Sequence, residues 1–186
     1  VVLNTTSSIL TRRVARELGC KLSIKPVGFK HIYSEMKKRD VLLGGGETGG
    51  VGIAHHMPER DGLLVNLLLC EAMAVTGKSL AELVDELESY FGRYYYARRD
   101  LRIDPEIVEM LRTVLPGLNP PMVAGRVPVH VSHMDGLRLE FDDESWILLR
   151  PSQTEPLIRV YAEAQTIEMR DELLDAGIDL AHGEFT

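Results

Sequence analysis

Apolar residues recur with two different rhythms along this chain. Through its first half, short apolar runs alternate with stretches of helical period. Residues 1–3 read as a strand, 8–18 as a helix stopped by Gly19, 21–24 as a strand, 29–38 as a helix and 41–43 as a strand. Such alternation predicts an α/β layer with parallel strands, because each helix returns the chain to the same end of the sheet. A nearly all-apolar stretch, 61–75, follows a glycine-rich segment and is stopped at Thr76-Gly77. Having no polar face, it is expected to lie buried. Ser79-Leu80-Ala81-Glu82 then has the form of a capping box, opening a helix that runs to Phe91-Gly92.

Beyond Arg93 the rhythm changes. Tyr94-Tyr95-Tyr96 is strand-like, and Asp104-Pro105 opens a helix that ends near Gly117. Alternating runs at 127–131, 137–141, 146–149 and 157–162 predict strands, with turns at Asp135-Gly136 and Asp142-Asp143. A last helix follows Thr166. The expected fold is an α/β part with a three-layer, mainly parallel sheet, followed by a small α+β domain with an antiparallel sheet and helices. The boundary falls between Gly92 and Asp100, giving domains of residues 1–95 and 96–186.

Composition narrows the function. A chain of 186 residues can bury one large core or two small ones, and 45% hydrophobic with 26% charged residues excludes a disordered chain. A formal charge of −7 argues against a nucleic-acid partner, whose binders cluster Lys and Arg against phosphates. Any anionic ligand must be held by a local arrangement. The longest apolar run, 63–70, is broken by Asn66 and too short to span a bilayer, and no signal-peptide pattern is present. A soluble, cytoplasmic protein with no membrane partner is expected. Cys20 and Cys70 read as reduced core thiols. Val1-Val2-Leu3 opens as a strand without an initiating methionine, which reads as a piece of a longer chain.

Three segments carry chemistry. In Arg150-Pro151-Ser152-Gln153-Thr154-Glu155-Pro156, a guanidinium, two hydroxyls and the N–H groups of a tight turn can converge on one phosphate. An ordinary polar hairpin turn has the same composition. In Gly44-Gly45-Gly46-Glu47-Thr48-Gly49-Gly50, glycines allow close backbone approach while Glu47 and Thr48 suit sugar hydroxyls. A flexible connection explains that segment equally well, and its spacing fits neither a P-loop nor a dinucleotide fingerprint. His55-His56-Met57-Pro58-Glu59-Arg60-Asp61-Gly62 concentrates charge before the apolar helix. His56 and Glu59 are too few for a zinc site, so capping and ion pairing by Glu59, Arg60 and Asp61 is the favoured role.

Read together, these segments resemble the α-D-phosphohexomutases, the phosphoglucomutase and phosphomannomutase kind. Val27-Gly28-Phe29-Lys30, the strand and glycine loop from Leu42 to Gly50, Pro58-Glu59-Arg60-Asp61-Gly62, and Trp146-Ile147-Leu148-Leu149-Arg150-Pro151-Ser152-Gln153-Thr154-Glu155-Pro156 with Ile158-Arg159-Val160 occur in that order and at similar spacing in the family. The resemblance implies most of the third and all of the fourth domain of a four-domain enzyme. That enzyme shifts a phosphoryl group between the C1 and C6 oxygens of a hexose phosphate, through a phosphoserine and a hexose bisphosphate. It further implies that Arg150, Ser152, Gln153 and Thr154 hold the substrate phosphate, that Gly46, Glu47 and Thr48 form the sugar loop, and that Lys30, His56, Arg60 and Arg159 support them. The implied partners are the hexose phosphate and the N-terminal domains of the same chain.

The sequence holds neither a Ser-His-Asn-like nucleophile loop nor an Asp-Gly-Asp-X-Asp-Arg metal loop. By resemblance, the catalytic residues and the Mg²⁺ ligands lie outside it, and no catalytic or metal residue is expected within. The family loop reads Gly-Glu-X-Ser-Gly, which puts Gly46 at the glutamate and Thr48 at the serine; Gln153 stands where Gly or Asn is usual. A glutamate at position 46 is expected to strengthen the sugar grip, and loss of Arg150 to cost ligand rather than structure. The alternative function is a non-catalytic phosphosugar-binding relative.

Overall fold

In the computed structural model, residues 1–38, 40–152 and 154–183 are described. They form two compact units, Val1–Arg93 and Tyr94–Thr186. The first has the element order β1 (Val2–Asn4), α1 (Ile9–Glu17), β2 (Ser23–Lys25), α2 (Phe29–Met36), β3 (Leu43–Gly45), β4 (Val51–Ile53), α3 (Gly62–Thr76) and α4 (Leu80–Phe91). Its sheet order is β2-β1-β3-β4, with β1 parallel to β2 and β3, and β4 antiparallel to β3. A mainly parallel α/β sheet is thus present, joined by a hairpin strand, β4, that the sequence pattern does not announce.

Three expectations about unit 1 are corrected. The third strand is Leu43–Gly45, not 41–43, so Gly44 and Gly45 belong to the sheet rather than to a loop. A side chain at Gly44 would run into Ile32 and Met36 of α2, so absence of one is what lets the helix settle on β3. The apolar stretch 61–75 is helix α3, but none of its residues is buried. Leu63, Leu67 and Val75 are 73%, 58% and 80% exposed. Four strands of three residues offer too little surface to cover it as well as α1 and α2, whose core is Val2, Ile32, Met36 and Val41. Cys70 lies on this same helix and is exposed, not a core thiol; both cysteines are free. No single helix among the described residues is long and apolar enough to cross a membrane.

The second unit runs β5 (Tyr95–Arg102), α5 (Pro105–Val114), a short 3₁₀ turn, β6 (His130–Ser132), β7 (Leu137–Glu140), β8 (Trp146–Pro151), β9 (Leu157–Ala164) and α6 (Ile167–His182). The five strands form one antiparallel sheet in the order β5-β9-β8-β7-β6. Period-2 alternation sends Leu137, Leu139, Ile147, Leu149, Val160 and Ala162 to one face, where α5 and α6 cover them with Val108, Leu111, Leu173 and Leu174. Each such aliphatic burial contributes about 1.5–3 kcal/mol, so this unit carries most of the hydrophobic stabilisation. β8 extends two residues past its predicted end, so Arg150 and Pro151 are strand residues.

The bare apolar surface of α3 has a measurable consequence. The 186-residue chain should enhance the fluorescence of a hydrophobic dye such as ANS, and Leu67→Glu with Val75→Glu should remove most of that signal. Because both positions are exposed, stability should change by no more than about 0.5 kcal/mol. Unchanged dye binding in the double variant contradicts an open helix face.

Candidate functional site

The phosphate-cradle segment begins at the rim of β8. Arg150 is only 9% exposed at its side chain, and its Nε donates to Asp135 Oδ2 at 3.0 Å, itself 10% exposed. Asp135 reaches it because the turn before β7 presses against β8: Gly136 has φ +115°, and a Cβ there would strike the Leu149 carbonyl oxygen and lie 3.1 Å from Arg150 Cα. Only glycine satisfies both demands. The terminal nitrogens of Arg150 make no other bond among the described residues and remain free to donate.

Ser152, 2% exposed, shapes the turn itself. Its Oγ accepts from the Thr154 and Glu155 N–H groups at 3.4 and 3.3 Å, its own N–H donates to the Leu157 carbonyl at 2.9 Å, and Arg112 from α5 donates to its carbonyl. With its lone pairs engaged by the turn, the Ser152 hydroxyl proton is left to donate. Thr154 is exposed, and Gln153 lies outside the described residues. Arg159 stands directly opposite Arg150 in the β8–β9 register. Like charges so paired repel. Here Glu155 at 3.1 Å and Asp100 at 3.9 Å flank Arg159 while Asp135 holds Arg150, so each of the two opposed arginines has its own carboxylate at the strand ends. That pairing, together with Arg112, is not visible in the sequence because it depends on strand register and on a helix distant along the chain.

In unit 1 the glycine loop is the β3–β4 hairpin turn, closed by Gly46 N–H to the Gly50 carbonyl at 3.2 Å and Gly49 N–H to the Gly46 carbonyl at 3.1 Å. Glu47 is half-buried and accepts from Asn4 Nδ2 at 2.7 Å, while Thr48 projects to solvent. Asn4, at the end of β1, was not singled out by the sequence reading; its signal is a polar residue closing an apolar strand. A side chain at Gly46 would meet Asn4 Nδ2 at 2.6 Å. The expected gain from a glutamate at 46 therefore runs into a buried amide, and the simple Gly46→Glu exchange is not a restoration.

Behind the hairpin, Arg60 packs its stem against Gly50 and its guanidinium over the Phe29 ring at 5.0 Å, and pairs with Glu59 at 3.3 Å. Asp61 caps α3 by accepting from Leu64 N–H at 3.0 Å and pairs with His56 Nε2 at 2.8 Å. Its carboxyl is held below the usual carboxylate range, first by the Leu64 N–H and next by His56. Lys30 is exposed and has no hydrogen bond or ion pair among the described residues. No group of three or more His, Cys, Asp or Glu among the described residues is arranged to hold a metal ion.

The geometry can be set beside known proteins. Residues 1–90 match the model of the phosphoglucomutase/phosphomannomutase alpha/beta/alpha domain III, and residues 125–179 that of the phosphoglucomutase/phosphomannomutase C-terminal domain. A phosphoglucomutase/phosphomannomutase of Thermococcus kodakarensis is 29% identical, over 97% of this chain and 37% of its own length. A phosphoglucosamine mutase of Methanococcus aeolicus is 31% identical, over 97% of this chain and 38% of its own. A solved structure from Thermus thermophilus, described as a phosphomannomutase, superposes with a TM-score of 0.76 at 36% identity, covering 98% of this chain and 36% of that one. The chain thus spans under two-fifths of the length of these relatives.

Two outcomes follow from the site geometry. Arg150→Ala should destabilise unit 2 by about 3 kcal/mol, because it removes the guanidinium that faces the nearly buried Asp135 carboxylate. Adding Asp135→Asn should restore part of that in urea unfolding. For Asp61, a depressed pKa means that the cap is intact above the unfolded-state value of about 3.9 and is lost as pH falls through the folded-state pKa. The Leu64 amide proton resonance should therefore show a transition below about pH 4, and absence of a transition there, or its persistence in Asp61→Asn, would contradict the assignment.

Proposed function

This chain belongs to the phosphoglucomutase/phosphomannomutase family, and we propose that it is the sugar- and phosphate-binding part of a phosphohexomutase. Unit 2 holds the phosphate that is not transferred, and unit 1 offers the hydroxyl-binding loop. The observation that carries the reading is the rim of β8 and β9, where Arg150 and Arg159 stand in register beside the Ser152-capped turn. A phosphate there meets a guanidinium pre-set by Asp135 and the Ser152 hydroxyl, both making charge-assisted bonds to a dianion. None of these groups changes protonation or bonds covalently. Their work is to fix the substrate while chemistry proceeds at its other end.

The reaction proposed for the whole enzyme moves one phosphoryl group from a phosphoserine to the free C1 or C6 hydroxyl of a hexose phosphate. The resulting bisphosphate then returns its other phosphoryl group to the serine. Such a cycle requires a clamp that accepts either phosphate, and a clamp made of direct charge and hydrogen bonds to phosphate oxygens does so because both groups present the same oxygens. By the family resemblance, the nucleophile and the ligands of the Mg²⁺ would come from outside this sequence. Hexose bisphosphate serves as intermediate and activator in this scheme. A second reading, a phosphosugar-binding relative without catalysis, is favoured by Gly46 standing at the family glutamate. A nucleophile loop and an aspartate-rich metal loop in the sequence preceding Val1 would decide against it.

An NMR titration of the 186-residue chain with inorganic phosphate should shift Arg150, Ser152 and Thr154 amides. Arg150→Lys keeps a charge but loses the planar fork, and should weaken binding about tenfold, or about 1.4 kcal/mol. Shifts clustering elsewhere, or equal affinity in the variant, would overturn the clamp. The same chain should not turn over glucose 1-phosphate, because it supplies no nucleophile; turnover by a rigorously purified sample would refute that.

A further inference from the structure

Asn4 closes β1 and is 4% exposed. Its side-chain oxygen accepts from both Thr6 Oγ1 and Ser7 Oγ at 2.9 Å. A carbonyl oxygen has two lone pairs, so these hydroxyls use both and fix which end of the amide faces the hairpin. The Nδ2 end faces it, and donates to Glu47 Oε2 at 2.7 Å. The same nitrogen stands 2.6 Å from where a Cβ at position 46 would be. Gly46 is not among the positive-φ glycines, so its own backbone does not demand glycine. What excludes a side chain at 46 is the Asn4 amide.

The Asn4 amide occupies the space that a Cβ at 46 would take and holds the carboxylate of the next residue. We propose that Asn4 is the positioning residue that makes Glu47 the sugar-facing carboxylate of this loop. The proposal rests on reading the hairpin as the sugar loop. Glu47 Oε1 accepts no hydrogen bond among the described residues, so one oxygen is oriented by Asn4 and the other is left for a ligand hydroxyl. A neutral donor suits this task, because an amide orients the carboxylate without cancelling the charge that makes it a strong acceptor.

The decisive variant is Asn4→Asp. It keeps the shape and an oxygen for Thr6 and Ser7, but turns an oxygen instead of an N–H toward Glu47. NMR titrations of the 186-residue chain with glucose 1-phosphate and with inorganic phosphate give the readout. The wild type should prefer glucose 1-phosphate and show shifts at Glu47 and Thr48. Asn4→Asp should lower that preference about tenfold while leaving phosphate affinity unchanged, with the amide spectrum of unit 1 retained to show that its fold is kept. Asn4→Ala carries the same expectation if the aspartate variant does not fold. A preference kept in the variants overturns the positioning role. A wild type with no preference and no shifts at the hairpin overturns the sugar-loop reading itself. Independently of any sugar, the cycle of Asn4→Ala, Glu47→Ala and both together should show about tenfold coupling in the unfolding constant, and Gly46→Ala should be better tolerated beside Asn4→Ala. Additive effects in both cycles overturn the contact on which the proposal stands.

Discussion

A guanidinium cannot be nine-tenths removed from water without a counter-charge, and the pairing of Arg150 with Asp135 sets the form of the β8 rim of unit 2. Asp135 comes within reach only because Gly136 lets its turn lie against the backbone of β8. The turn in turn fixes where β7 begins, and Leu137 and Leu139 enter the core two positions apart from there. Ion pair, turn and apolar face are therefore one construction. The buried pair adds little net stability, since desolvation offsets most of the attraction. What it provides is a direction: Nε is spent on Asp135, so the terminal nitrogens have to point elsewhere.

Elements built from local pattern were legible in the sequence. Ser79 and Glu82 form the reciprocal capping box that their spacing predicts, Asp61 caps α3, and the alternating residues of β7, β8 and β9 face one core. Where reading went astray, distance along the chain was the cause. Gly44 has the composition of a loop, yet it is a strand residue because α2 comes so close that no larger residue fits. Being apolar all round, α3 reads as a buried helix, but a sequence pattern states what a helix needs to bury and not whether a neighbour buries it.

The candidate site divides in the same way. Arg150, Ser152 and Glu47 could be named because their residue types and loop contexts carry phosphate or hydroxyl chemistry. Arg112, Asp135 and Asn4 could not, since each acts on a named residue from an element remote in sequence. Arg159 was named, but the reason it matters, its register opposite Arg150, exists only once β8 and β9 pair. Residues that touch a ligand announce themselves by type, whereas those that aim them are ordinary polar residues until the fold brings them in.

That distinction bears on how far a motif departure can be read as a loss. Gly46 in place of a glutamate reads, in sequence, as a missing carboxylate. In the fold the Asn4 amide occupies the place a Cβ at 46 would take, with Glu47 one residue along carrying the charge. A hairpin tip tolerates such a shift better than the β8 rim would, for a physical reason. The tip is held by two backbone hydrogen bonds and by Asn4, so a carboxylate can be supplied from either of two adjacent positions if a neighbour orients it. At the rim, a strand fixes Arg150 in register and Gly136 fixes its partner, so moving the cation by one residue would send it to the opposite face of the sheet. The proposed phosphate clamp must keep its residues in place, while the proposed hydroxyl grip is free to be rebuilt around a new donor.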